Sequence, residues 1–431
     1  MKVSRTSKTN CGLFSSQQST AAAAAIFKRY SGKRRFAVRL LEAVLRPLVW
    51  FSKPQDSVNL DEVRQILVFE PGSLGDMVML MPFLRSLRLR LPGARLSFVC
   101  RTSGTKKGQD YAAIDQNSIE TLLLDQGFVD ELIPLAVPWL MYASPWKKYS
   151  PFAWGWLGFA RRLVQLRKQG FDLGFPGGRS DIRYNLALWL AGARRRVGYG
   201  YAGGGFLLTD VVSPDIARPH QTELSLRLLE HLGIRTVRDG WLFNLSPGDK
   251  TFSTKFLRDH GIEDGDLVVG VHPGSRVPTR QWGADRFEEV ARRLTGDYGA
   301  KVIWFSEPQD SSNLPNGKNI IRGAFSLREF LAVLAHCEFL VCNESGPMHL
   351  AASVGVPAVA VFGSGFPEWF RPAGERNRIV IRRDIWCRPC ADQCIWREPY
   401  CLRLIPVEQV MEAVTESVKG LRQVSSTAEA R

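Results

Sequence analysis

A chain of 431 residues is long enough for two ordinary domains with full cores, and 45% apolar with 23% charged residues is the balance of a soluble globular protein. The net charge of +15 is uneven: residues 1–60 hold 11 Lys/Arg against 2 Asp/Glu, a surplus of +9, and the other 371 residues carry only +6. This argues against nucleic-acid binding by the body and for a basic arm that meets an anionic surface. No run of 18 apolar residues predicts a membrane-spanning helix, and the first twenty residues lack the apolar core of a secretory signal.

Residues 1–25 are Ser/Thr/Ala-rich and read as disordered. In 33–50, "KRRFAVRLLEAVLRPLVW", apolar residues recur at Ala37, Leu41, Val44 and Leu48, with Arg35, Arg39, Glu42 and Arg46 on other faces. This amphipathic helix suits packing on the body, an anionic membrane or, with least support, a transit peptide. From Val63 the pattern alternates. "QILVFE" (65–70) predicts a buried parallel strand, a helix follows from Gly75 to about Leu91, and "ARLSFVC" (94–100) and "FDLGF" (171–175) are further strands. "NLALWLAGARRRVGY" (185–199) reads as a helix and turn, and the aromatic stretch 138–161 as core or as an acceptor- or membrane-facing element.

A second series starts near 256. Strands are predicted at 267–275, 301–307, 339–346 and 357–364, with helices at 286–294, 326–337 and 347–355. The 326–337 helix opens on a Ser326/Glu329 capping box, and the 347–355 helix starts with Pro and ends with Gly. Two αβ series in tandem imply two open parallel sheets, with ligands near the carboxyl ends of the strands.

Four stretches can carry chemistry. In "NESGPMHLA" (343–351) a strand runs into a helix whose first amides make an anion site. Ser345 and Gly346 would meet a diphosphate, Glu344 suits a ribose hydroxyl or amine, and His349 could hydrogen-bond a phosphate. The blander reading has Ser345 as a cap and His349 as core. "HPGSRVPTRQW" (272–282), with His272, Gly274 and Ser275, puts Arg276 and Arg280 on a loop after a strand, and guanidinium forks suit phosphate oxygens. Trp282 reads as packing. "GSLGD" (72–76) brings Asp76 to the mouth of a helix after Gly72 and Gly75. An acid there stabilises a helix and stays ionised, and it can also deprotonate a hydroxyl. Finally, Cys387, Cys390, Cys394 and Cys401 crowd one segment of an eight-cysteine chain. They suit a thiolate site for zinc or iron, or reduced structural thiols, and their crowding argues against a disulfide scaffold and for a reducing compartment. No P-loop, HExxH or GxSxG is present, and "GYGYAGGGF" reads as following no strand-to-helix transition.

With these residues in view, the chain resembles glycosyltransferase family 9, the ADP-heptose:lipopolysaccharide heptosyltransferases, over roughly residues 64–415. The likeness rests on "ILVFEPGSLGDMVMLMPFLRSLR", "LAGARRRVGYGYAGGGFLLT", "VVGVHPGSRVPTRQWGADRFEEVARRL", "NESGPMHLAASVGVPAVAVFG" and the "CRPC" segment. The resemblance implies an α/β GT-B fold: two facing Rossmann-like domains with the active site in the interdomain cleft. The basic arm at 1–60, partly disordered with an amphipathic helix, lies outside the family core; the resemblance implies an acceptor domain at 61–255, a nucleotide-sugar domain at 256–405 and a helix crossing back with a tail at 406–431. It implies inverting transfer of a heptose from ADP-heptose to a hydroxyl of the lipopolysaccharide inner core or a related surface glycan, at the cytoplasmic face of the inner membrane, with no cofactor required; the alternatives are a GT-B transferase with another nucleotide sugar or a protein acceptor, and a non-catalytic nucleotide-sugar-binding protein. Asp76 falls on the family's catalytic base, and Arg280 on the cation that steadies the leaving phosphate. Donor contacts fall on Gly75, His272, Gly274, Ser275, Glu344, Ser345, Gly346 and His349, and on Glu307 for the ribose.

Overall fold

The computed structural model describes residues 42–44, 46–47, 58–101, 123–135, 137–141, 154–179, 181–215, 220–239, 242–306, 317, 319–390 and 392–429. Glu307 and the arm apart from 42–44 and 46–47 lie outside them, as do residues 142–153 of the aromatic stretch.

The first half carries strands β1 (Gln65–Phe69), β2 (Arg95–Arg101), β3 (Glu131–Leu135), β4 (Leu173–Phe175), β5 (Arg195–Tyr199) and β6 (Asp210–Val212). Its helices are α1 (Leu74–Arg90), α2 (Trp154–Leu166), α3 (Ile182–Leu190) and α4 (Gln221–His231). The strands pair in parallel in the order β3-β2-β1-β4-β5-β6. The second half holds α5 (Pro247–Asp259), β7 (Val268–His272), α6 (Ala284–Tyr298), β8 (Lys301–Ser306), β9 (Ile320–Ala324), α7 (Leu327–Leu334), β10 (Phe339–Asn343), α8 (Gly346–Ser353), β11 (Ala358–Phe362), β12 (Arg378–Ile381) and α9 (Val407–Glu429). It repeats the topology, in the order β12-β11-β10-β7-β8-β9, again all parallel.

Both are doubly wound sheets, and in each the strand order reverses beside the central strand, β1 in one half and β7 in the other. Chains leaving β1 and β4, or β7 and β10, part to opposite faces and leave a crevice at the strands' carboxyl ends. Central strands buried on both faces explain the unbroken apolar runs: β10 and β11 are buried at every residue. The Ser326/Glu329 capping box forms as expected, with Ser326 N–H donating to Glu329 Oε2 at 2.8 Å. Ser246 and Asp249 build a second one at α5.

Three expectations are corrected. The division expected at 255 would cut α5, which packs against α7, so the halves separate before Pro247. The 185–199 segment is a helix followed by a strand, β5, rather than a helix and turn; "GYGYAGGGF" begins in β5 and runs into a 3-10 turn at Gly205–Leu207, so no strand-to-helix transition forms there, as expected. Where the resemblance implies a final helix returning to the first half, Val410, Met411, Val414 and Val418 of α9 pack on the second sheet's own core. Tyr298 and Thr415 join there through their hydroxyls at 2.7 Å.

Part of the arm is in place on the first half. Glu42 accepts the Gly204 N–H at 2.8 Å, and the Arg46 guanidinium lies 5.9 Å from the centroid of the Phe206 ring. Among the described residues no helix is long and apolar enough to cross a membrane.

Candidate active site

The two crevices face each other, and the first turns of α1 and α8 meet between them. A Cβ added at Gly75 would lie 2.9 Å from His349 Cδ2, so only glycine lets these helix ends approach so closely. Gly75 therefore reaches His349 and Gly346 directly, while Asp76 and Arg280 interact electrostatically across the gap.

On the first-half side, the Asp76 carboxylate is held at both oxygens. Oδ2 accepts from the amide and the hydroxyl of Ser73, at 2.7 and 2.9 Å, and Oδ1 pairs with Arg179 Nη2. Burial alone would raise its pKa, but Arg179 and the Ser73 donors outweigh burial and hold it below the usual carboxylate value. The helix-capping reading of Asp76 is thus correct as far as it goes. Arg179, from the "PGGR" loop after β4, also lies 3.3 Å by its Nε from Oε2 of Glu70, which follows β1. Glu70 is 2% exposed, and its Oε1 has no hydrogen-bond partner. Burial pushes its pKa up to about 8; Arg179 opposes this, and the neighbouring Asp76 charge adds to it. Glu70, Asp76, Gly177, Arg179, Gln221 and Ser225 line a small cavity of about 10 Å³.

On the second-half side, Ser345 precedes α8 in extended conformation, and its hydroxyl turns back to Asn343 O at 3.2 Å rather than capping the helix. The cap reading of Ser345 therefore fails. The side chain of Asn343 bridges the two loops: it accepts from Trp282 N–H at 3.0 Å and donates to Pro273 O at 2.5 Å. Trp282 is core, as expected, donating its indole N–H to Ile405 O and packing edge-on against Phe287. Glu344 is fully buried; Oε2 accepts the Gly365 N–H at 3.0 Å and Oε1 lies 3.6 Å from Arg280 Nη1. Burial raises its pKa to about 7, against the pull of Arg280. His349 is 4% exposed, and burial, with His220 adding, pushes its pKa down to about 3. The ring is thereby kept neutral, and its Nδ1 is buried without a hydrogen-bond partner.

Arg280 ends the loop after β7, in a 3-10 turn at Pro278–Arg280. Its Nε and Nη2 donate to Asp392 at 2.9 and 2.7 Å. Arg276 is exposed on the same loop. Ser275 Oγ lies 3.3 Å from the amide and the carbonyl of Val277 and so shapes the turn. The ring of His272 packs edge-on to Phe330 and lies under Gly274, where a Cβ would come within 2.9 Å of it. Ser275 and His272 thus build the loop.

Burial, with the neighbouring thiols adding to it, raises the pKa of Cys390 and Cys401. Among the described residues no group of three or more His, Cys, Asp or Glu side chains is arranged to hold a metal ion.

Sequence reasoning did not single out Glu70, Arg179, Asn343 or Asp392. Arg179 had a usable signal: like Asp76, it follows a strand and two glycines. Glu70 looked like a strand end, and Asp392 like a spacer between cysteines.

The sequence model of glycosyltransferase family 9 (heptosyltransferase) matches residues 165–400. The chain is 25% identical over 346 residues to lipopolysaccharide heptosyltransferase 2 of Escherichia coli, covering 73% of this chain and 87% of that one. Its structure is similar to that of E. coli ADP-heptose lipopolysaccharide heptosyltransferase II, with a TM-score of 0.58 at 21% identity over 83% of this chain and 99% of the other. It is also similar to a family 9 glycosyl transferase from Veillonella parvula, with a TM-score of 0.60 at 23% identity over 83% and 97%.

Proposed function

The chain belongs to glycosyltransferase family 9, and we propose that it is an inverting transferase moving a heptose from ADP-heptose to a hydroxyl of the lipopolysaccharide inner core. The observation that carries this reading is the opposition of two unlike crevices: a carboxylate, Asp76, on one wall, and a guanidinium with a helix N-terminus, Arg280 and α8, on the other. That is the polarity an inverting displacement needs.

In this reading the acceptor hydroxyl approaches Asp76 and its oxygen attacks the anomeric carbon, while Asp76 takes the hydroxyl proton. The bond from that carbon to the ADP oxygen breaks on the opposite face. The charge that builds on ADP is met by Arg280 and the amides at Ser345–Gly346, with His349 contributing a hydrogen bond. Arg179 makes Asp76 a weak base at rest. Proton transfer then becomes favourable late, when positive character at the anomeric carbon has developed.

Thermal-shift screening with ADP-, UDP- and GDP-sugars tests the donor. Stabilisation by ADP-sugars supports the reading; stabilisation by another nucleotide alone overturns it in favour of a different donor, and none by any overturns the donor site. We take the transfer to need no metal, so turnover in excess chelator should be unchanged. We read the four cysteines as reduced structural thiols; stoichiometric zinc or iron in elemental analysis of the purified protein would overturn that.

We further propose that the enzyme works at the cytoplasmic face of the inner membrane and that its basic arm holds it to anionic lipid. The surplus of +9 in residues 1–60 supports this. Deleting 1–55 should release the protein from acidic vesicles; equal binding by the shortened chain refutes it.

A further inference from the structure

The loop between β12 and α9 carries the four cysteines, and between the second and third of them stands Asp392. Its φ of +65° makes it the one non-glycine residue in the left-handed region among those described. Aspartate enters this region more readily than most residues, so the constraint on it is read from its contacts. Its carboxylate shows the constraint. Oδ1 accepts from Arg280 Nε at 2.9 Å, from the Thr279 hydroxyl at 3.2 Å and from the Ser364 hydroxyl, and Oδ2 accepts from Arg280 Nη2 at 2.7 Å. Three loops, after β7, after β11 and before α9, thus converge on one anion.

The grip on Arg280 is side-on. A guanidinium has two edges that can take a bidentate acceptor, and Asp392 occupies the Nε/Nη2 edge. The Nη1 end lies 3.6 Å from Glu344, two residues ahead of α8. A single rotatable arginine would sample many orientations; one held along one edge presents the other in a fixed plane.

We propose that Asp392 is a positioning residue for the transfer reaction, holding Arg280 so that its Nη1 edge meets the leaving diphosphate. This makes the cysteine-bearing loop part of the donor site. The inference rests on the reading of the cleft as an ADP-sugar site. It predicts an effect on turnover larger than on binding, because the charge that Arg280 meets develops as the bond to ADP breaks.

Asp392→Asn keeps the shape and the acceptor for both hydroxyls but removes the charge and one arm of the fork. Heptose transfer from ADP-heptose should show kcat lowered by about 10- to 100-fold, with ADP affinity by calorimetry lowered by less than about 5-fold. In an Arg280→Lys background, where no side-on fork can form, the same change should cost less than about 3-fold. Unchanged kcat, the full cost persisting in the Arg280→Lys background, or tighter ADP binding would each overturn the proposal; the last would mean that Asp392 blocks the anion seat. Should Asp392→Asn not fold, Ser364→Ala removes only one donor to the same carboxylate and should lower kcat by about 3- to 10-fold; no change would count against the proposal equally. Failure of the wild-type chain to bind ADP is a separate result, which overturns the donor assignment.

Discussion

The Nε of Arg179 lies 3.3 Å from Oε2 of Glu70, while Nη2 of the same guanidinium pairs with Asp76. One cation therefore serves two carboxylates that its environment drives apart: Glu70, buried at the end of β1, is pushed up to about 8, and Asp76, held also by Ser73, is pulled down. The two shifts favour the proton on Glu70 over Asp76. Asp76 is left as the ionised member facing the cleft, a division of roles set by environment alone.

Asp76→Asn should lower kcat by about 10²- to 10⁴-fold, the range for loss of a general base, with the donor KM little changed because the proposed donor seat is on the opposite wall. Initial-rate kinetics with donor and acceptor each varied against saturating levels of the other check this. Turnover at the wild-type rate would leave Asp76 as a helix cap and nothing more.

Arg179→Met should move the acid limb of the kcat/KM profile upward. The sign follows from Asp76: its folded pKa is depressed, so the wild-type base stays ionised to low pH, and removing the guanidinium leaves burial to raise it. A pH–rate profile from 4 to 9 reads the shift; an acid limb that stays in place would separate Asp76 from the titration.

Glu70→Gln should stabilise the protein increasingly between about pH 4.5 and 8. In the unfolded chain Glu70 ionises near its ordinary value, while the folded chain keeps the proton until about 8, so the unfolded state binds fewer protons through this window and wild-type stability falls as pH rises. The amide removes that term. Melting temperatures of the two proteins should nearly coincide at pH 4.5 and diverge by pH 8; parallel curves would contradict the assignment.

Gly75→Ala places a methyl against His349, with its Cβ 2.9 Å from Cδ2. The first turns of α1 and α8 must separate, at a cost of about 1–3 kcal/mol in stability, typical of overpacking. Turnover should fall more than tenfold, since a displacement of about 1 Å between reacting groups can cost about 100-fold. Calorimetric unfolding and kcat on the same preparation separate the two effects.

Most elements were legible because their signals are local. Unbroken apolar runs marked β1, β7, β8, β10 and β11, and Ser326 with Glu329 marked the start of α7. β5 was missed because "ARRRVGY" is too basic to read as buried, yet Arg195 and Arg196 spend their charge on Asp210 and on backbone carbonyls. The end of the first half was placed late because the start of α5 lies in a polar stretch, and its packing against α7 joins residues far apart in the chain.

The sequence by itself determined the two αβ series, the strand-to-helix loops and the residue types at their mouths. Backbone pairing and helix caps depend on neighbours a few residues away, so those features were readable in order. Only the tertiary structure decided which charges share a site. Arg179 reaches Asp76 across 103 positions, and Asp392 reaches Arg280 across 112. These partnerships exist because two parallel sheets reverse their strand order at facing crevices, which brings loops distant in the chain to one cleft. Inside that cleft, burial and the nearest opposite charge set which carboxylate is ionised.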